Sequence, residues 1–257
     1  SPEHPLTARV IANRVWHWHF GRGLVASPNN FGATGERPRN LQALDYLASR
    51  LIEDGWSLKK LHRRIMLSKT YRLGTVDSPG AIHGFPLRRL EAEAFRDAML
   101  QAAGALRRDV PPYGALKIIS QNPTHVTLAR NRRAYEGFPY RSVYLPIVRS
   151  HVYDLFTLLD FPNATTPVGK RANTTVPTQA LMMMNSPFLM KQAAAVAESV
   201  RQTSDPMAEL YLRLFARPIT KAERQEAEQF VKNNGNDHAW TLLCQTLLMS
   251  NEFLYLR

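Results

Sequence analysis

NLQALDYLASRLIEDGWSLKKLHRRIM, residues 40–66, is the stretch on which the fold reading turns. Leu41, Leu44, Leu47 and Leu51 recur at the three-to-four spacing that gathers apolar side chains on one face of an α-helix. Asn40 stands where its side-chain oxygen can accept an unpaired N–H of the first turn, and Gly55 stands where a left-handed residue closes the helix. Ser57 then caps a second helix presenting Leu58, Leu61 and Ile65, with Trp56 placed to staple onto Leu61. The outcome is helix, turn, helix.

The pattern repeats on both sides. Upstream, LTARVIANRVWHWHF at residues 6–20 reads as a helix stopped by Gly21 and Gly23, and residues 24–40, rich in Asn, Pro and Gly, read as a loop. Downstream, Leu90, Ala94, Ala98, Ala102 and Leu106 recur every four residues and predict a helix over 88–106. Residues 107–147 change character: 116–119, 125–128 and 142–147 read as short strands, a small β insertion. Residues 150–160 return to helical spacing, and 161–176 read as a loop. Ser186 before Pro187, Asp205 before Pro206, the capping box of Thr220 with Glu223, and Asp237 then mark four helix starts. The fold expected is mainly α: a helical bundle-like single domain over 1–257, with a small β-containing insertion at about 107–147.

Composition narrows the class. With 257 residues, 44% hydrophobic and 21% charged, the chain can build a sizeable core and is neither disordered nor collagen-like. No apolar run is long enough for a membrane-spanning helix, and Ser1 reads as the start of an excised or processed fragment. The single cysteine, Cys244, excludes an intrachain disulfide, a cysteine-based zinc site and a C-x-x-C-H haem attachment within this chain. Net charge is +12, and residues 1–150, with 23 basic and 11 acidic side chains, carry all of it; residues 151–257 hold 10 of each. Of the 33 basic residues 25 are Arg, which suits bidentate pairing with carboxylate, phosphate or sulfate. Such a balance fits a polyanion or an acidic partner domain, and equally a well-solvated surface.

Several residues carry candidate chemistry. His17 and His19 flank Trp18, but on a helix they lie about 200° apart around the axis and cannot share a metal, so no metal site is expected. Glu93 and Asp97 fall one turn apart on the 88–106 helix, as an acid–base pair would, although Arg88, Arg89 and Arg96 lie close enough to neutralise them. The loop from Asp160 through Arg171, Thr174, Thr175 and Gln179 to Asn185 concentrates short polar side chains before a helix N-terminus, where an anion or sugar hydroxyl could be held; capping and an Asp160–Arg171 bridge would use the same residues. The Met-rich run 182–184 reads as core filling. No G-x-S-x-G, Walker loop or G-x-G-x-x-G is present.

LTARVIANRVWHWHFGRGLV, GWSLKKLHRRIMLSKTYR, RRLEAEAFRDAML, RSVYLPIVR, LLDFPNATTPVGKRANTTVPTQALMMMNSPF and LLMSNEFLYLR, in that order, resemble the planctomycete-specific PSD domain. This is a domain of unknown function at the C-terminus of planctomycete-type cytochrome c proteins. The resemblance implies an extracytoplasmic protein whose neighbouring domains carry haem c, with no cofactor in this chain, and a link to polysaccharide processing. It also implies Arg14, His19, Glu91, Arg96, Asp97, Asp160, Arg171, Thr175, Gln179 and Asn185 as motif positions. Among these, Glu91, Asp97, Asp160 and His19 are the catalytic candidates and the rest the ligand-binding ones. Three functions follow as expectations. The first is an accessory or co-catalytic module of an exported haem oxidoreductase, binding cytochrome c-type domains, another acidic partner or an anionic polysaccharide. The second is an enzyme acting on carbohydrate through a carboxylate/His pocket. The third, nucleic-acid binding, rests on charge and the 58–67 helix alone.

Overall fold

The computed structural model describes residues 4–73, 87–111, 132–149 and 152–256. Twelve α-helices and one two-stranded sheet are found among the described residues, so the chain is mainly α. They gather into two compact units: the first is made by the chain up to Arg88 together with Val168–Lys170, the second by Arg89–Pro167 and Arg171–Leu256. No helix among the described residues is long and apolar enough to cross a membrane.

The first unit holds α1 (Thr7–Phe20), α2 (Leu41–Glu53), α3 (Leu58–Met66) and a 3-10 turn at Thr70–Arg72. α1 ends where Gly21 turns left-handed, φ 69°, and donates its N–H to the His17 carbonyl, a conformation that costs a side-chain-bearing residue more. Asn13, fully buried, then fixes the chain reversal: its Nδ2 donates to the Val25 carbonyl at 3.0 Å and its Oδ1 accepts the Val25 N–H at 2.8 Å. A Cβ on Gly23 would strike both Val25 and Asn13, which is why glycine stands there. α2 starts on Asn40, whose side chain accepts from Ala43 N–H, and α3 on Ser57, which accepts from Lys60 N–H, as their sequence positions predict. Ala12, Val15, Phe20, Leu24, Leu44, Leu51, Leu61 and Ile65 form this unit's core.

The second unit contains α4 (Ala92–Ala102), α5 (Arg132–Gly137), a 3-10 turn (Ser142–Tyr144), α6 (Asp154–Leu158), α7 (Pro177–Asn185), α8 (Pro187–Val200), α9 (Pro206–Phe215), α10 (Lys221–Asn234), α11 (Asn236–Leu248) and α12 (Asn251–Leu254). Central α8 packs against α4, α7, α9 and α11, and buries Phe188, Leu189, Ala193, Val196 and Val200. The sheet pairs β1 (Arg88–Arg89) with β2 (Tyr255–Leu256). Ser186, Asp205 and Thr220 with Glu223 cap α8, α9 and α10 as expected.

Three expectations are corrected. The helix expected over 88–106 is shorter, because the backbone of Arg88–Arg89 is taken by the sheet and Gly104, φ 68°, follows its end. Residues 142–147, read as a strand, contain the 3-10 turn instead; the strands expected at 116–119 and 125–128 lie outside the described residues. Asp237 falls inside the first turn of α11, whose cap position is Gly235.

Candidate functional site

The second unit gathers the residues of the polar loop around α4. Asp160 closes α6 with a left-handed backbone, φ 61°, and its carboxylate accepts from Arg89 NH2 at 2.6 Å, Thr174 N–H at 2.7 Å and Thr174 Oγ1 at 2.8 Å. Burial acts to raise its carboxyl, but these hydrogen bonds outweigh burial and hold it below the usual range. Arg89, buried, also donates to the Leu159 carbonyl at 3.1 Å. Arg171 grips Glu93 bidentately at 2.7 and 2.9 Å, reaches Glu91 at 3.1 Å and lies 5.3 Å from the ring centre of Phe161. Gln179, buried, donates to the Leu158 carbonyl at 2.9 Å, and Thr175 Oγ1 meets the Tyr255 hydroxyl at 3.0 Å.

A second node lies one turn further along α4. Arg96 is completely buried, donating from NH1 to the Tyr140 carbonyl and Ser142 Oγ, each at 3.2 Å, and from NH2 to the Tyr135 and Phe138 carbonyls. Its guanidinium lies 5.9 and 5.6 Å from the ring centres of Phe138 and Phe188. Desolvation brings its pKa down to about 10, so it remains charged at neutral pH. Asp97 accepts Ser142 N–H at 2.8 Å and Ser142 Oγ at 2.6 Å. Asn185 is exposed and donates back to the Leu181 carbonyl of its own helix. These carboxylates and guanidiniums are engaged with one another and with backbone. Chemically the arrangement is a clasp that fixes loops to α4.

The first unit differs. A cavity of about 610 Å³ opens against α2 and α3. Trp16, Leu47 and Ile65 floor it; Tyr46, Asp54, Lys60, Arg63 and Arg64 surround it; Ala43, Leu67, Ser68 and Thr70 complete its lining. Lys60, Arg63 and Arg64 share one face of α3 because they are spaced by three and four positions. Among the described residues Asp54 is the single carboxylate of the lining: Arg64 NH2 donates to it at 3.1 Å and Lys60 Nζ stands 3.6 Å away. The hydrogen bond from Arg64 holds the Asp54 carboxyl below its ordinary value. Arg64 NH1 reaches the Tyr46 hydroxyl at 3.4 Å, while its Nε is buried without a hydrogen-bond partner. Arg63 is exposed and makes no ion pair among the described residues. Three cations thus face one anion.

Two other expected site residues lie in this unit. His19 Nε2 meets His62 Nδ1 at 2.7 Å, with Tyr71 edge-on to His19 at 5.5 Å. Burial lowers the His19 pKa, and the neighbouring charges of His62 and Arg88 lower it further. Arg14 is exposed and touches Asn29 Oδ1 at 3.3 Å. Among the described residues no group of three or more His, Cys, Asp or Glu side chains is arranged to hold a metal.

A family model described as PSD1, protein of unknown function (DUF1553), matches residues 1–231. The chain belongs to the PSD1 family. No curated protein and no solved structure matches it. The PSD1 match spans both the cationic cavity and the clasp around α4. The sequence allows, beside an anion site, a bridge between Asp160 and Arg171; in this PSD1 chain Asp160 pairs with Arg89 and Arg171 with Glu93. Reasoning from sequence passed over Tyr46, Asp54 and the His62 partner of His19. The spacing of Lys60, Arg63 and Arg64 was a readable signal, whereas nothing local ties α2 or α1 side chains to them.

Proposed function

We propose that this PSD1-family chain is an accessory module that binds an acidic partner through the cationic cavity of its amino-terminal unit. In the setting that its motifs imply, that partner belongs to an exported, cytochrome c-type haem oxidoreductase system, and the chain itself supplies no haem attachment. Its one cysteine, Cys244, is buried among apolar side chains, where desolvation pushes the thiol up to about 12. The observation that carries the reading is the cavity lining, where among the described residues Lys60, Arg63 and Arg64 stand against Asp54 alone. A lining that keeps excess positive charge at a concave surface costs self-repulsion in the free protein, which an incoming anion relieves.

The test is a salt titration of the whole chain on immobilised polyglutamate and on immobilised heparin, with the wild type beside Lys60→Glu/Arg63→Glu. The wild type is expected to bind at least one of the two at low ionic strength and to release between about 0.05 and 0.3 M salt, where screening over a Debye length of roughly 10 Å takes hold. The double variant is expected to lose that retention while keeping its helical circular dichroism. Retention that ignores salt, or that survives the double variant unchanged, would remove the reading.

A further inference from the structure

Resting on that reading, we infer that the cavity takes an acidic polypeptide segment in which an apolar side chain stands beside the carboxylates. The volume of about 610 Å³ lies within the roughly 300–1,000 Å³ of sites that enclose a small ligand, enough for more than one side chain. Charge is gathered on the α3 side, but Trp16, Leu47 and Ile65 make the floor apolar. Leu67 lines the same cavity and is 59% exposed, an apolar surface that water covers in the free protein. The lining is therefore amphiphilic, and its ligand must carry both kinds of surface.

The polar groups point the same way. A sugar ring bears hydroxyls on most of its carbons, and each one buried against Leu47 or Ile65 would lose its water without gaining a partner. Asp54, the strongest acceptor of the lining, is already held by Arg64 and Lys60, and the Tyr46 hydroxyl already accepts from Arg64. That leaves two small hydroxyls, Thr70 and Ser68, the latter already accepting the Tyr71 N–H at 3.3 Å, too few for a glycan's demand. An Asp or Glu beside a Leu or Phe meets the lining as it stands: carboxylate to Arg63 and Lys60, apolar side chain onto Leu67 and the floor. Burying such a side chain adds a term that salt screens little.

The probes are a short blocked peptide alternating Asp and Leu, its counterpart alternating Asp and Ser, and a heparin oligosaccharide, each labelled and followed by fluorescence polarisation against the whole chain. The Asp–Leu peptide is expected to bind about tenfold tighter or more than the Asp–Ser peptide, as burial of one large aliphatic side chain would give. Leu67→Ser, at an exposed position, is expected to erase that preference by weakening the Asp–Leu peptide more than the Asp–Ser peptide; Arg63→Glu is expected to weaken both peptides. Equal binding of the two peptides, or tighter binding of heparin than of the Asp–Leu peptide, overturns this inference and leaves the anion-binding reading standing. Binding of none of the three probes overturns both.

Discussion

Arginine does opposite work in the two units. In the second, Arg89, Arg96, Arg171, Arg213, Arg217 and Arg224 each end on a carboxylate or on several carbonyls, with Arg96 wholly enclosed. Among the described residues, exposed Arg108, Arg141 and Arg149 behave differently, Arg108 ending on the Gln101 amide oxygen at 3.1 Å. In the first, Arg9, Arg50 and Arg64 find carboxylates, but Arg22, Arg37, Lys59, Arg63, Lys69 and Arg72 carry no ion pair among the described residues. The guanidinium's planar fork serves both uses: bonded to several acceptors at once it fixes a loop, even where Arg96 Nε and Arg89 Nε are buried without a hydrogen-bond partner, and left open it keeps its affinity for an incoming anion. Net charge alone does not tell which arginine does which. The partners do.

The sharpest test of the enclosed class is Arg96→Met. The substitution keeps length and apolar contact with Phe138 and Phe188 but strips four hydrogen bonds from Tyr135, Phe138, Tyr140 and Ser142. Buried carbonyls left without donors, together with the loss of a buried charge from its cage, are expected to cost about 3–5 kcal/mol in urea unfolding. Arg96→Lys should recover little, since one ammonium cannot reach four acceptors set by a fork. A loss below about 1 kcal/mol in Arg96→Met would show the cage to be replaceable by apolar packing, and the two classes would no longer differ in kind.

What could be read in the sequence follows range of interaction. Asn40, Ser57, Ser186, Asp205 and the Thr220–Glu223 box each act within three residues, so the helix starts they mark are where the sequence places them. Errors came where a distant segment intervened: pairing with Tyr255–Leu256 removes Arg88–Arg89 from the expected helix. The same holds for the site. Lys60, Arg63 and Arg64 share a helix face and could be grouped by spacing, but Asp160 joins Arg89 across seventy-one positions and His19 joins His62 across forty-three, distances over which spacing carries no signal. Arg96 read as a ligand-binding arginine because burial is a tertiary property, invisible in a run of four-residue periodicity.

Acid should separate the units by mechanism. In the first unit the His19 pKa is lowered by burial, His62 and Arg88, so the folded state takes up its proton later than the unfolded chain does. The groups on this side are His62 and Arg88, with Tyr71 and Phe20 packed against the ring. Its contribution is intact above the ordinary histidine value of about 6.5 and declines as pH falls below it. In the second unit the depressed groups are carboxylates. Thr174 and Arg89 outweigh burial at Asp160, and Arg217 draws Glu223 down to about 2. Their contributions hold above the ordinary carboxylate range of about 4 and vanish only as pH falls through the lowered values. Hydrogen exchange followed from pH 7 to 5 should therefore loosen α1 and α3 while α4 and α8 stay protected, with His19→Gln flattening the first-unit response. Simultaneous loosening of both sets across that interval would refute the division.

The smallest expected effect is the one that defines the open class. Arg63→Ala removes a side chain that is exposed, makes no ion pair among the described residues and sits beside Lys59, Lys60, His62 and Arg64 on α3. The favourable terms lost are slight, chiefly a cation near the carbonyl end of the helix, worth a few tenths of a kcal/mol. Against them stand relief of like-charge crowding and the higher helix propensity of alanine. The sum should lie within about 0.5 kcal/mol of zero in urea unfolding, the range of surface substitutions that break no buried feature. Polyglutamate retention of the same variant should fall, because the cavity loses the lining cation that has no carboxylate of its own among the described residues. Stability and binding would then part company at Arg63, as they cannot at Arg96. A loss of more than about 1 kcal/mol would mean that Arg63 is a structural guanidinium with partners of its own, and the reason for assigning anion binding to this unit would go with it.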